Sequence, residues 1–144
     1  MKNFSRGMAL ALVIIAMAGC ASKPESFEAI EPGWASIEVR DGIPGDRAWE
    51  MVVDVLARKF DLEMISKENG YIRTSWVHTW WKAGEVTQNY RVRAVVKFTG
   101  DLKKVDLKTE ANYLKGAQWV SGTDTRFLQT VKTDVMGVVG RTTR

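Results

Sequence analysis

The sequence predicts an α+β domain. About four to five antiparallel strands in two hairpins form one layer, and an N-terminal and a C-terminal helix pack on one sheet face. Three observations predict it. An apolar stripe at helical period runs through residues 46–59, strict alternation runs through 90–98, and a second helical period closes the chain at 123–139. At 144 residues the chain holds one such domain and too little for two.

The chain opens with a short basic stretch, residues 1–7, followed by 11 apolar residues at 8–18. A bilayer-spanning helix needs roughly 20 such residues, so residues 1–19 read as a secretory signal peptide. The segment ends in Met17-Ala18-Gly19-Cys20, which resembles the lipobox of bacterial lipoproteins. The resemblance implies cleavage before Cys20, diacylglycerol on its sulfur and an acyl chain such as palmitate on its new amine. At roughly 0.8 kcal/mol per buried CH₂, several chains anchor a protein durably where one does not. By the sorting rule of that family, Ala21 in place of Asp implies the outer membrane, facing the periplasm. Residues 20–44 carry Pro24, Pro32 and Pro44 among Ser and Glu, and read as the lipidated Cys and a tether. Within them, Ile37 and Val39 alternate with polar neighbours in a short strand at 35–40. The domain itself is expected over 45–144.

Asp46 is placed to cap the first helix. Ala48, Val52, Leu56 and Phe60 recur at four-residue steps beside Trp49, Val53 and Ala57, and Arg58 and Lys59 in the last turn suit the helix dipole. A hairpin follows at Glu68-Asn69-Gly70. A three-residue loop with Gly70 left-handed pairs Leu62 with Trp76, Met64 with Thr74 and Ser66 with Ile72, which gathers the apolar side chains on one face. In the second hairpin a two-residue Gly100-Asp101 turn pairs Val96 with Val105, Ala94 with Leu107, Val92 with Thr109 and Tyr90 with Ala111. The opposite face then carries Arg91, Arg93, Val95, Lys97, Lys104 and Lys108 against Asp106 and Glu110. In that register Arg91 faces Glu110, while Arg93 faces Lys108 in a repulsive pair. After Gly116 and a break at Ser121-Gly122, Phe127, Val131, Val135 and Val138 mark the closing helix, capped by Asp124 or Thr123.

The order of these elements, with Ala48-Trp49, Phe60 and the stretch Gly70-Tyr71-Ile72-Arg73-Thr74-Ser75-Trp76, resembles the C subunit (BamC) of the outer-membrane β-barrel assembly machinery. The resemblance spans residues 45–140. It implies a helix-grip domain, a sheet curled around a long helix, and an accessory protein-binding role in outer-membrane protein assembly. The family pattern has two such domains and a long extended N-terminal segment, whereas this chain has room for one.

The formal charge is +4, but residues 1–19 hold Lys2 and Arg6 and no acid. Without them 19 basic residues face 17 acidic ones, and a net +2 gives no support for nucleic-acid binding. A single Cys excludes a disulfide framework and, as the anchor, leaves no thiol nucleophile. His78 is the only His, which excludes His-rich metal sites, and neither a phosphate-cradling glycine loop nor a GxSxG elbow is present. A Ser–His–Asp unit would need Ser75 beside His78, yet three residues along a strand set them on opposite faces. Paired carboxylates, such as Asp61 or Glu63 with Glu85, stay open. The inventory points away from an enzyme, with no cofactor and no metal expected.

Six Trp are many for a chain of this length. Trp49 and Trp76 fit the core pattern. Trp80-Trp81, followed by Lys82, fall where a loop is expected, and adjacent side chains of an extended stretch face opposite ways. At most one of the two is then easily buried. The exposed one suits a protein interface, a stacked sugar or the lipid headgroup level; alternatively both pack under the loop and cover the sheet edge. Arg91, Arg93 and Lys108 belong to the second candidate, the basic strand face. It reads either as a contact for an acidic partner or anionic headgroups, or as a solvated face whose cations discourage edge pairing. The expected partners are the membrane, through Cys20, and an envelope protein; the alternative is a lipid- or glycan-binding module.

Overall fold

The computed structural model describes residues 23–141, so the signal segment, Cys20 and Ala21 lie outside the described residues. The fold is α+β, mostly antiparallel sheet with two helices. In chain order the elements are β1 (Phe27–Glu28), β2 (Ala35–Glu38), α1 (Gly45–Ala57), β3 (Leu62–Ser66), β4 (Tyr71–Thr74), β5 (Trp81–Lys82), β6 (Glu85–Val86), β7 (Tyr90–Thr99), β8 (Lys104–Lys115), β9 (Gln118–Asp124) and α2 (Thr125–Val139). Seven strands form one sheet in the order β1-β9-β8-β7-β4-β3, with β2 also on β8; β5 and β6 make a separate hairpin.

The sheet is larger than the four to five strands expected. Ser121-Gly122 does not break the chain there; it continues β9, which pairs with β8 on one side and β1 on the other. Gly122 is needed at that point, because a Cβ would fall inside the van der Waals shell of the Glu28 carbonyl. The stretch expected as a tether is thus folded from Pro24 onward. Phe27 is only 2% exposed, its ring against those of Tyr90 and Tyr113.

Helix α1 buries Ala48, Trp49, Val52 and Leu56, as its stripe requires. Its N-cap is Pro44, with no side-chain cap, and Asp46 lies inside the first turn, where a carboxylate still suits the dipole. The helix stops at Ala57, so Arg58 is the C-cap and Lys59 lies beyond it. Lys59 reaches across to Asp134 of α2 at 2.7 Å. Of the two candidate caps for α2 the structure uses Asp124, whose carboxylate accepts from the Phe127 amide at 2.7 Å, while Thr123 belongs to β9. Helix α2 lies across β2, β7 and β8 beside α1 and buries Val131, Val135 and Val139.

Both hairpins differ in register from the tight turns. In β3–β4, Leu62 faces Thr74, Met64 faces Arg73, Ile65 faces Ile72 and Ser66 faces Tyr71, with a bulge between Leu62 and Met64. Gly70 is left-handed at φ +60° as expected, but the loop is longer by one residue. The reason is β7. The Phe98 amide donates to the Gly70 carbonyl at 2.7 Å, and a Cβ on Gly70 would sit 2.9 Å from the Phe98 carbonyl. Pairing to the long central strand therefore sets β4, and apolar matching with the edge strand β3 yields; Met64 and Ile65 stay exposed.

In β7–β8 the pairs are Tyr90 with Tyr113, Val92 with Ala111, Ala94 with Thr109, Val96 with Leu107 and Phe98 with Val105. This is a shift of two residues from the expected register, so every side chain keeps its face. The tight turn would have set Phe98 opposite Lys103. The longer loop gives it Val105 and frees it to pack on Trp49 at 5.3 Å. It also removes the repulsive pair, because Arg93 now faces Glu110 and Lys108 faces Val95.

Candidate functional site

Alternation along β7 and β8 sends Arg91, Arg93, Val95, Lys108 and Glu110 to the face away from the helices. Val77 bridges Val92 beyond the end of β4, which turns Trp76 to this same face. Trp76 is thus not a core residue opposite Leu62. The Arg91 and Arg93 guanidinium carbons lie 4.6 Å and 4.3 Å from its ring centroid. Arg91 also covers Trp119 of β9 at 4.7 Å, and the Lys108 ammonium lies 5.1 Å from the Trp34 ring.

Ion pairs join these contacts into one row. Glu110 takes Arg93 at 2.7 Å and Lys108 at 3.4 Å, and Glu63 of β3 takes Arg73 at 2.9 Å and Arg93 at 3.4 Å. The row runs Trp34, Lys108, Glu110, Arg93, Trp76, Arg91, Trp119. Beneath it Val95, expected in water, is 2% exposed. Burial alone would raise the Glu110 pKa, but hydrogen bonds and charge from Arg93 and Lys108 prevail and hold it below the usual range. With Glu63 already bound by two arginines, its carboxylate is committed to this face. Arg91 differs from Arg93: among the described residues it has no carboxylate partner, and its buried Nε has no acceptor. At the two ends of the row Trp34 is 48% and Trp119 43% exposed.

The other predicted residues lie elsewhere. Trp80 and Trp81 face opposite ways, as alternation requires. Trp80 packs edge-on against Tyr90 and Tyr113, at 6.2 Å and 6.0 Å, whereas Trp81 is 65% exposed. The Lys82 ammonium rests over the Trp80 ring at 4.1 Å. Trp80, Lys82 and Tyr90 wall a cleft of about 500 Å³ between the N-terminal segment, the β5–β6 hairpin and the start of α2. Its floor is a closed network around buried Asp124, which accepts from the Tyr90 hydroxyl at 2.5 Å, the Ser26 hydroxyl at 2.9 Å and the Phe127 amide. Burial first, then the bond and charge of Asp124, raise the Tyr90 phenol above its ordinary range. His78 is tied down by its Nδ1–H, which donates to the Tyr90 carbonyl at 2.8 Å.

The predicted list therefore divides between two surfaces: Arg91, Arg93 and Lys108 on the sheet face, Trp80 and Lys82 in the cleft, with Trp81 apart. Periodicity missed Trp34, Trp76 and Trp119 as members of the sheet face. One signal was present for Trp76: matching Val77 to Val92 sets Trp76 beside Arg91 and Arg93. Nothing local marked Ser26, because its partner Asp124 lies 98 residues away. No family model and no curated protein matches the chain.

Proposed function

We propose that this chain is a non-enzymatic outer-membrane lipoprotein, anchored through Cys20 and facing the periplasm, whose sheet face binds a protein partner in envelope assembly. The observation that carries the reading is Arg91, whose guanidinium lies 4.6 Å and 4.7 Å from the Trp76 and Trp119 rings and has no carboxylate partner among the described residues. Trp and Arg dominate interface hot spots, and a cation beside the exposed Trp119 ring suits a partner segment that brings a carboxylate. The kinship with the helix-grip domains of the BamC type draws support from the order helix, hairpins, helix and from two helices on one sheet face. A second reading, a lipid- or glycan-binding module, is favoured by the cleft beside Trp80.

Site-specific photo-crosslinking of the full-length protein in cells tests the first reading. A photoreactive residue at Trp34 or Trp119 is expected to give one protein adduct that Arg91→Glu abolishes. No adduct at either position, or the same adduct from Glu50 on the exposed side of α1, refutes it.

A further inference from the structure

The cleft has a volume in the range that takes small ligands, about 500 Å³. Three cations from three separate segments reach it, Lys23, Lys82 and Arg126, beside the rings of Trp80 and Phe127. Among the described residues none of the three has a carboxylate partner. Two acids also line the wall. Asp124 is already taken by Tyr90, Ser26 and the Phe127 amide, and Glu25 is exposed. Cations therefore outnumber acids, and the acid at the floor is the one already satisfied.

The place of the cleft along the chain says what meets it. Lys23 is three residues from Cys20. A chain spans at most about 3.6 Å per residue, so the two Cα atoms lie within roughly 11 Å. Because the fold begins at Pro24, an anchored Cys20 would keep the Lys23 wall within that reach. Such an anchor would hold the cleft next to the headgroups of the leaflet that carries it.

We propose that the cleft takes the anionic headgroup of a phospholipid from that leaflet, its phosphate on Lys23, Lys82 and Arg126 and its adjoining carbons against the Trp80 and Phe127 side chains that line the wall. The proposal rests on the Cys20 anchor of the preceding reading and is independent of the protein partner. Charge-assisted bonds from Lys and Arg suit a phosphate, and the rings supply the apolar side that distinguishes a lipid from a free ion.

The mature protein, purified from membranes in neutral detergent, is titrated with short-chain phosphatidylglycerol, short-chain phosphatidylcholine and inorganic phosphate. The readout is the set of amide shifts at residues 79–82 and 124–127. Saturable binding of phosphatidylglycerol is expected, with phosphatidylcholine and phosphate both weaker. Each cation removed is expected to weaken binding about five-fold, so Lys23→Ala, Lys82→Ala and Arg126→Ala together lower it on the order of 100-fold. Removing the same charge elsewhere, at Lys97, Lys103 and Lys115, leaves it unchanged. Should the triple variant unfold, Lys82→Glu alone, in the hairpin outside the main sheet, serves the same purpose. Equal binding of both lipids, an equal loss from the control triple, or phosphate bound as tightly as phosphatidylglycerol overturns the proposal. The mass of the Cys20 peptide is read from the same sample. An acylated Cys20 without headgroup discrimination sinks the cleft alone, whereas a bare thiol sinks the anchor and the leaflet claim with it.

Discussion

Asp124 is the residue on which the most separate elements depend. Its carboxylate is buried and serves three donors: the Phe127 amide of α2, the Tyr90 hydroxyl of β7 and the Ser26 hydroxyl next to β1. Asp124→Ala removes both acceptor oxygens and with them all three bonds at once. Loss of an N-cap costs about 1 kcal/mol, and a buried hydroxyl that loses a charged acceptor costs roughly 1.5–3 kcal/mol. The Ser26 bond is only partly buried and contributes less. Relief of the carboxylate's own desolvation offsets part of the sum, which leaves an expected destabilisation of about 3–4 kcal/mol. Asp124→Asn keeps a capping oxygen and the side-chain shape, and is expected to cost about half as much. The assay is urea unfolding of the mature chain, followed by Trp fluorescence, with equal slopes required before midpoints are compared. A double-mutant cycle with Tyr90→Phe isolates the central contact, with an expected coupling of about 1.5–3 kcal/mol. Coupling below about 0.5 kcal/mol, the usual limit of additivity for independent sites, would refute the network as a source of stability.

Tyr90 also gives the fold an alkaline limit. Its phenol keeps its proton to higher pH in the folded chain than in the unfolded one, whose value is about 10. Its contribution is therefore complete below about pH 10 and lost as pH rises further; Tyr90→Phe should remove that component from the stability–pH curve, and parallel curves would refute the assignment. Glu110 acts at the other end, with its folded pKa lowered below an unfolded value of about 4.3. Its contribution is present above that pH and lost as pH falls through the lower folded value, so Glu110→Gln should flatten the acid limb of a melting series. Gly122→Ala sets a Cβ against the Glu28 carbonyl and should detach β1, at a cost on the order of 2 kcal/mol. Limited proteolysis is expected to cut near residues 24–30 in this variant first, and an unchanged cleavage pattern counts against the close approach.

How much of this was legible in the sequence follows from what periodicity measures. The stripe through Ala48, Val52 and Leu56 and the one through Val131 and Val135 identified both helices, and alternation along residues 90–98 identified the five side chains of the core face, although Arg91 and Arg93 opposite them are half-buried where water was expected. The largest departure was Val95, which is buried on the face that carries the row of Trp, Arg and Glu side chains, a row that no local pattern announces. A cap such as Asp124 is legible because its bond to Phe127 spans three residues; its bonds to Tyr90 and Ser26 are not, because they span 34 and 98.

The sequence by itself determined which side of the two helices and of the long strands β7 and β8 is apolar, and that of two adjacent Trp residues only one is easily buried. Only the tertiary structure decided which strand each one pairs with, and by how many residues the pairs slide. A period of two fixes the face of a side chain but is blind to an even shift, so β7 and β8 could slip by two at no cost to their patterns. The choice fell to contacts distant in the chain, Phe98 against Trp49 and Gly70 against Phe98. The same holds for residues 24–28. They look like a linker because their apolar content is low, and they fold because one Phe finds two Tyr rings and a glycine in β9 leaves room for their backbone.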